Sequence, residues 1–193
     1  MEEGEGREGR LDLSALFGNN RRVEVDLGCG KGLFLVQEAS ARPEVNFIGV
    51  DRLGRKLERA LRRIRSRNLK NVRIFRSDVF HFVNHLLPAD SISTFHIYFP
   101  DPWPKRKHAQ RRFLDSSFVT SLARTLRHGC PVWLATDYHE YYDRILEIFR
   151  VEPAFRPKDH PLPPVIGITD FEEEFIENDW PIYRAGFEKV MPF

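Results

Sequence analysis

The stretch "VEVDLGCGKGLFLVQEAS", residues 23–40, constrains the fold more than any other part of the sequence. An apolar, β-branched run from Val23 to Leu27 is followed by three glycines and then by apolar residues typical of a buried helix. Glycine tolerates the backbone conformations that a sharp turn needs, and it lets another group approach the backbone closely. The stretch therefore predicts a strand, a tight turn and a helix, in that order.

The same order of strand and helix recurs along the chain. The stretches between the apolar runs repeat their apolar residues at helical spacing. Alternation of this kind is typical of an α/β fold, in which a mainly parallel sheet carries helices on both faces. The further predicted strands cover residues 45–51, 71–78, 91–99 and 131–137, and a short helix and a last strand close the chain.

Length and composition favour one domain. A chain of 193 residues, with 41% apolar and 30% charged residues, can bury a single core. Residues 1–10 are rich in Gly and Glu and are expected to be disordered, so the domain covers residues 11–193. Five prolines between residues 152 and 168 exclude a helix or a central strand and predict an extended, proline-rich loop there.

Several classes of protein are disfavoured by composition. The two cysteines, Cys29 and Cys130, are too few for a disulfide framework, and neither stands in a spacing typical of zinc. No histidine spacing indicates a metal site, no apolar run is long enough to span a membrane, and the N-terminus is charged. We therefore expect a cytoplasmic protein without a membrane or metal partner. The sequence is compatible with a monomer and with a homodimer.

Positive charge is concentrated, although the net charge is only +2. Residues 52–76 contain eleven Lys and Arg residues and one acid, Glu58. Segregation of this kind favours a polyanionic partner, while a solvated helix face is the alternative. A second basic run follows Asp101 in "FPDPWPKRKHAQRRF", residues 99–113. A carboxylate beside so many cations indicates either an ordinary loop that leads into a helix or a site where an acid acts on a polyanion.

The glycine turn discriminates between three classes of ligand. A dinucleotide-binding turn would read G-x-G-x-x-G, and here Gly32 comes one residue early. A phosphate-binding Walker loop needs Ser or Thr after its lysine, and Lys31 is followed by glycine. S-adenosylmethionine carries a sulfonium and an ammonium group and no phosphate, so that acids beside the turn suit it. We therefore expect this cofactor to contact Gly28, Gly30 and Gly32.

Carboxylates at the predicted strand ends are placed to bind such a cofactor, because ligands of parallel α/β sheets lie at the carboxyl ends of the strands. We expect Asp26 to face the methionine amino group, Asp51 to accept from the ribose hydroxyls and Asp78 to meet the adenine amino group. Each of these acids could instead cap the helix that follows it. Asp101 and Asp137 follow two further strands.

Taken together, these motifs resemble the bacterial tRNA (guanine-N7-)-methyltransferases, a family of class I S-adenosylmethionine-dependent enzymes. The resemblance begins at "ALFGNN" and rests on "VDLGCGKG", "IGVDR", "RSDV", "FPDPWPKRKHAQRR", "ATD" and "TDFEEEF". It implies a single Rossmann-like methyltransferase domain with a mainly parallel seven-stranded sheet. It also implies methyl transfer to N7 of a guanine in the tRNA variable loop, guanine 46 in the family. The family usually has Glu at the positions of Asp26 and Asp51.

The resemblance implies roles for individual residues. Asp101 is the implied catalytic acid, and it also faces the cofactor together with Asp26, Asp51 and Asp78. The implied substrate-binding residues are Lys105, Asp137, Thr169, Asp170, Phe171 and Glu172, and the implied RNA-contacting residues are Lys107, His108, Arg111 and Arg112. Trp103 stands between the acid and the cations and is either a wall of the base pocket or a core residue.

A methyltransferase that acts on another RNA base or on a protein is the alternative function. Enzymes that methylate exocyclic amines typically carry Asn/Asp-Pro-Pro-aromatic, and Trp103 stands where the second proline would be. A non-catalytic RNA-binding module would be expected to lose the glycine turn, Asp51 or Asp101, and all are present. A nicotinamide-dependent dehydrogenase is disfavoured by the spacing of the glycines.

Overall fold

The computed structural model describes residues 2–3, 9–101, 114–160 and 167–191. Its strands are β1 (Glu2–Glu3), β2 (Val23–Leu27), β3 (Asn46–Asp51), β4 (Val72–Arg76), β5 (Thr94–Tyr98), β6 (Pro131–Thr136), β7 (Phe155–Pro157) and β8 (Tyr183–Lys189). Its α-helices are α1 (Leu13–Phe17), α2 (Leu33–Ala41), α3 (Gly54–Ser66), α4 (Val79–His81), α5 (Ser116–Thr125), α6 (His139–Val151) and α7 (Asp170–Glu177). A π-helical turn at Phe82–Leu86 continues α4.

Within the described ranges the strands form one sheet in the order β1-β4-β3-β2-β5-β6-β8-β7. Strands β1 to β6 pair in parallel, whereas β8 runs antiparallel to both β6 and β7. The predicted α/β class and the mainly parallel seven-stranded sheet are confirmed in β2 to β8. The two-residue strand β1 adds an eighth strand beside β4.

Helices cover both faces of the sheet, as predicted. Phe47 of β3 and Ile74 of β4 belong to one apolar cluster with residues of α2 and α3. Their neighbours Ile48 and Phe75 belong to a second cluster with residues of the π-helical turn, α5 and α6. Because successive strand residues point to opposite faces of a sheet, the two clusters lie on opposite sides.

The proline-rich range 152–168 contains a strand that was not predicted. Phe155–Pro157 forms β7 and pairs with β8 at the edge of the sheet. Proline is tolerated in an edge strand because one row of backbone N–H groups has no partner there. Residues 161–166 lie outside the described ranges.

Part of the N-terminal range 1–10, which was expected to be disordered, makes specific contacts. Glu2–Glu3 pairs with β4, and the guanidinium of Arg10 donates to the carbonyl oxygens of Asn84 and Leu87. The division of the chain into a disordered N-terminus and a domain of residues 11–193 stays a prediction. The other residues before Gly9 lie outside the described ranges.

The order of strands reverses between β2 and β5, which are neighbours in the sheet. At such a switch point the connections that leave two adjacent strands diverge and open a crevice, which is where ligands of this class of sheet bind. β2 ends at Leu27 and β5 at Tyr98, so the crevice lies beside the glycine turn and the start of the loop that carries Asp101. The fold thus brings these two parts of the sequence together.

Candidate active site

Three glycines in left-handed conformations shape the turn between β2 and α2. The φ angles of Gly28, Gly30 and Gly32 are 88°, 54° and 72°, values at which a side chain is strained. At Gly32 an added Cβ atom would also lie 2.8 Å from the Cβ atom of Ala60 in α3, which is too close. Backbone conformation and helix packing together explain why glycine stands at these positions.

The carboxylate of Asp51 links this turn to the neighbouring strand by a hydrogen bond. Asp51 is buried at the end of β3, and its oxygens accept from the N–H groups of Gly30 at 3.0 Å and Leu53 at 2.8 Å. Each carboxylate oxygen has a second lone pair, so the predicted contact with two ribose hydroxyls stays possible. The structure adds a role that was not predicted, since Asp51 holds the turn in place.

Asp26 differs from Asp51 because no described residue donates a hydrogen bond to its carboxyl group. It is 5% exposed and lines the cleft at the switch point. Burial, and then the charge of Asp51, raises the pKa of Asp26 to about 8. A carboxyl group in this state ionises readily when a cation binds beside it, so Asp26 can receive a cationic group of a ligand in the cleft.

Asp78 caps the helix that follows it. Its Oδ1 accepts from the N–H groups of Phe80 at 2.9 Å and His81 at 3.1 Å, and its Oδ2 lies 3.5 Å from Nη1 of Arg52. Of the two roles that the sequence allowed, the structure shows capping, and contact with an adenine amino group stays a prediction. Asp137 is exposed just after β6 and does not line the cleft.

Asp101 is exposed and follows an unusual bend at the end of β5. The φ angle of Phe99 is 50°, which is rare for a bulky residue and is strained. Its ring centroid lies 5.1 Å from that of Phe175 and 6.0 Å from that of Phe171. This packing holds the bend against α7. Asp101 is not one of the described residues that line the cleft, so its catalytic role stays a prediction.

The segment that the resemblance implies for substrate binding forms the first turn of α7. Thr169 and Glu172 form a capping box, in which the Thr169 hydroxyl accepts from the Glu172 N–H at 2.9 Å. Asp170 makes two contacts of 3.1 Å with the guanidinium of Arg63 in α3, and Glu172 pairs with Arg184 of β8. These contacts bring the first three residues of the segment to the cleft.

One cleft of about 570 Å³, measured to its open mouth, collects many of the predicted groups. The predicted residues that line it are Asp26, Gly28, Gly30, Thr169, Asp170 and Phe171. The predicted residues that are described but do not line it are Gly32, Asp51, Asp78, Asp101, Asp137 and Glu172.

Sequence reasoning missed other residues of this cleft. These are Cys29, Lys31, Leu33, Phe34, Lys56, Tyr98 and Glu174. The positions of two of these residues could have identified them from the sequence. Tyr98 is the last residue of β5, and Lys56 lies in the first turn of α3. The Lys56 ammonium lies 6.0 Å from the ring centroid of Phe171, so α3 and α7 meet across the cleft.

The remaining predicted residues lie outside the described ranges. They are Lys105, Trp103 and the RNA-contacting residues Lys107, His108, Arg111 and Arg112. Their roles stay predictions. Within the described ranges no cluster of His, Cys, Asp and Glu could hold a metal ion. No helix in those ranges is long and apolar enough to cross a membrane.

Comparison with known proteins shows which class of protein this chain belongs to. Residues 20–185 match a family model described as "Putative methyltransferase". The chain is 33% identical over 191 residues to a tRNA (guanine-N(7)-)-methyltransferase of Pseudoalteromonas translucida (strain TAC 125), an alignment that covers 96% of this chain and 79% of that one. The chain belongs to the tRNA (guanine-N7-)-methyltransferase family. The resemblance inferred from the motifs is thereby confirmed.

A second member of the tRNA (guanine-N7-)-methyltransferase family matches a shorter part of the chain. The protein of Bordetella pertussis (strain Tohama I / ATCC BAA-589 / NCTC 13251) is 37% identical over 146 residues, which are 76% of this chain and 58% of that one. The alignment thus spans a little over half of that relative. Among solved structures, the aminoglycoside resistance methyltransferase NpmB1 superposes with a TM-score of 0.66 at 16% identity over 98% of both chains. This likeness confirms the methyltransferase fold.

Replacing Asp26 by Asn should make the free energy of unfolding less dependent on pH. Because the folded-state pKa of Asp26 is about 8, above its ordinary value of 3.8, the folded protein keeps a proton that the unfolded chain releases. Wild-type stability should therefore fall as pH rises from about 4 to about 8, by on the order of a few kcal/mol, and a neutral amide escapes this loss.

Urea unfolding at pH 5 and pH 8.5 measures this difference. Asp137→Asn, a change of the same kind at an exposed position, is the control and should follow the wild type. The same loss of stability in the wild type and in Asp26→Asn would show that the pKa of Asp26 is not raised.

Proposed function

We propose that this chain transfers the methyl group of S-adenosylmethionine to N7 of a guanine in tRNA, at guanine 46 of the variable loop, and so forms N7-methylguanosine. The observation that carries the proposal is the cleft at the switch point of a methyltransferase sheet, with Asp26 as its buried acid. The names of the relatives, tRNA (guanine-N(7)-)-methyltransferases, support the same reaction.

The polar groups in and beside the cleft suit those of S-adenosylmethionine. The carboxyl group of Asp26 has unused capacity and suits the ammonium group, and the second lone pairs of Asp51 suit the ribose hydroxyls. Gly28 and Gly30 leave the backbone of the turn open to close approach. When bound, this cofactor supplies an electrophilic methyl group on a sulfonium. Asp26, Asp51 and the glycine turn are the residues that would hold it.

The target atom determines what the protein must do. Guanine N7 carries a lone pair in the ring plane and no proton, so the residues around it have to align the base and need not deprotonate it. Alignment of this kind can lower a barrier by roughly 7 to 11 kcal/mol. We assign Asp101 to accept from the guanine N1–H and amino groups, which selects guanine over adenine and offsets the positive charge that develops on the ring. Its position just after β5, at the switch point, supports this assignment.

A basic face on α3 supports a nucleic acid substrate. Arg55, Arg59 and Arg62 are exposed, and their spacing places them on one side of the helix. None of the ion pairs between described residues involves these three arginines. Lys56, next to Arg55, lines the cleft, so that the face begins beside the cleft and follows a helix of about 20 Å. Phosphate contacts along it would orient RNA without reading its sequence.

The decisive experiment uses unmodified tRNA and S-adenosylmethionine labelled in its methyl group. The chain should produce labelled N7-methylguanosine, which is identified after nuclease digestion and mapped to position 46. Asp101→Ala should lose turnover and largely keep its affinity for the cofactor, because the proposed contacts of Asp101 that matter for turnover are to guanine. Another labelled nucleoside, or label in a protein fraction, would contradict the proposal and favour a different methyltransferase.

Binding of S-adenosylmethionine should release a proton at pH 7. A cation beside Asp26 stabilises the carboxylate and lowers the pKa from about 8. Calorimetric titrations in two buffers of different ionisation enthalpy should give about one released proton for the wild type and none for Asp26→Asn. Equal heats in both buffers for the wild type would show that the cofactor does not place its cation at Asp26.

Changing Arg55, Arg59 and Arg62 together to Gln should weaken tRNA binding and flatten its salt dependence. Each lost phosphate contact reduces the slope of log K against log salt by about 0.7 to 0.9, so the triple variant should lose roughly two to three units. Fluorescence anisotropy with labelled tRNA over a series of KCl concentrations measures the slope.

The matched control removes the same charge elsewhere on the surface. Arg22, Arg144 and Arg150 are exposed, and their triple change to Gln should leave the slope close to that of the wild type. If both triple variants change the slope equally, the α3 face is not the docking surface.

A further inference from the structure

A chain of buried polar side chains, here called the first arm, connects the end of α2 with one wall of the cleft. Arg42 donates two hydrogen bonds to Glu24 of β2, at 2.8 and 2.9 Å, and Oε2 of Glu24 lies 3.0 Å from Nε2 of His96. Nδ1 of His96 lies 2.9 Å from the hydroxyl oxygen of Tyr98, which lines the cleft. Glu24 and His96 are only 3% and 1% exposed. The chemistry of the cleft does not account for these groups.

A second arm leads from the same guanidinium to another wall of the cleft, formed by the first turn of α7. Oε2 of the fully buried Glu38 lies 2.5 Å from Nη2 of Arg42, and Oε1 of Glu38 accepts from the Gly167 N–H at 2.5 Å. The side chain of Gln37 accepts from the Ile168 N–H at 2.9 Å. Residues 167 and 168 lead directly into α7, whose first turn lines the cleft.

Ionisation of Glu24 sets the direction of hydrogen bonding in the first arm. Burial opposes its charge, but the interactions with His96 and then Arg42 outweigh burial and lower the pKa of Glu24 to about 2. A carboxylate only accepts, so Nε2 of His96 carries a proton and donates to Glu24, and Nδ1 shares a hydrogen bond with the Tyr98 hydroxyl, which can donate or accept. Burial raises the pKa of Tyr98 well above its ordinary value, so that the hydroxyl keeps its proton. Each hydrogen bond of the first arm can therefore have one donor and one acceptor.

Close packing leaves the two arms little freedom. The ring of Phe34 lies 4.8 Å from that of His96 and 5.0 Å from that of Tyr98, between centroids. A Cβ atom on Gly167 would lie 3.0 Å from the backbone oxygen of Phe34 and 3.1 Å from Oε1 of Glu38. Both arms are thus packed against one helix, α2, and a displacement of that helix would move both walls.

We propose that Arg42 is a positioning residue for methyl transfer, which holds Tyr98 through one arm and the start of α7 through the other. It caps the end of α2, a helix of about 14 Å whose first residues lie at the cleft, and it does not line the cleft itself. Buried charges cost desolvation energy, and apolar residues could fill the same space, so a network of paired charges here serves a defined geometry. The inference rests on the proposed function.

The first test is Arg42→Gln, which cannot hold two carboxylates at once. We expect kcat for tRNA methylation to fall roughly tenfold to a hundredfold, because misaligned walls misplace the reacting groups, with a smaller change in the Kd of S-adenosylmethionine. Amide hydrogen exchange should rise in residues 94–101 and 167–177. Arg144→Gln, which removes an exposed ion pair with Glu147, is the control and should change neither quantity.

A purely structural role of Arg42 would give a different result. In that case Arg42→Gln lowers the denaturation midpoint and raises exchange throughout the sheet, while kcat per cofactor-binding site stays at the wild-type value. This result would overturn the proposal.

Two milder changes test the same coupling without removing the guanidinium. Tyr98→Phe removes only the hydroxyl at the end of one arm. Glu38→Gln leaves an amide that satisfies either Gly167 or Arg42 in the other arm, but not both. Because both arms act through Arg42, the effects of the two changes on kcat/KM should be non-additive in the double variant. Additive effects would overturn the proposal.

Hydrogen exchange separates failure of this inference from failure of the proposed function. If the wild-type chain transfers no methyl group to tRNA, the proposed function fails. In that case, hydrogen exchange that rises in Arg42→Gln only in residues 94–101 and 167–177 still supports coupling of the walls. If the wild type methylates tRNA and Arg42→Gln matches it in kcat and exchange, only the inference about Arg42 fails.

Discussion

The hydrogen bond from the Gly30 N–H to the carboxylate of Asp51 is the contact on which the rest of the site depends. It joins the turn after β2 to the end of β3. The carbonyl oxygen of Val50 reinforces it by accepting from the N–H groups of Gly28 and Cys29, at 2.8 and 3.0 Å. Because the turn is fastened to the next strand at three points, α2 begins at one defined place, and both walls of the cleft are built against that helix.

The cleft and the exposed face of α3 differ in their charged groups. The face of α3 carries arginines, whereas the cleft is lined by acids as well as lysines, namely Asp26, Asp170, Glu174, Lys31 and Lys56. A cationic cofactor and an anionic RNA would each meet the complementary sign on this arrangement. Lys56 and Arg63 lie at the boundary, where α3 approaches α7. The proposed reaction needs both partners at this boundary, since one supplies the methyl group and the other accepts it.

Local features of the site could be predicted from the sequence, and contacts between distant residues could not. The glycine turn has a local signature because its conformation excludes side chains, and capping by Asp78 was one of two predicted roles because its partners follow within three residues. The strand Phe155–Pro157 carries little local signal, since it is short, contains proline and depends on pairing with β8. The bend at Phe99 was not predicted either, because its ring packs on α7, more than 70 residues later.

The sequence by itself determined the alternation of strands and helices, the glycine turn and the position of acids at strand ends, because each depends on residues close together in the chain. Only the tertiary structure decided that Asp51 accepts two hydrogen bonds while Asp26 accepts none from described residues. It also decided that Tyr98 forms a wall of the cleft and that Arg42 joins two buried arms. The physical reason is that burial, pKa and contacts between distant residues arise only after the sheet and its helices have packed.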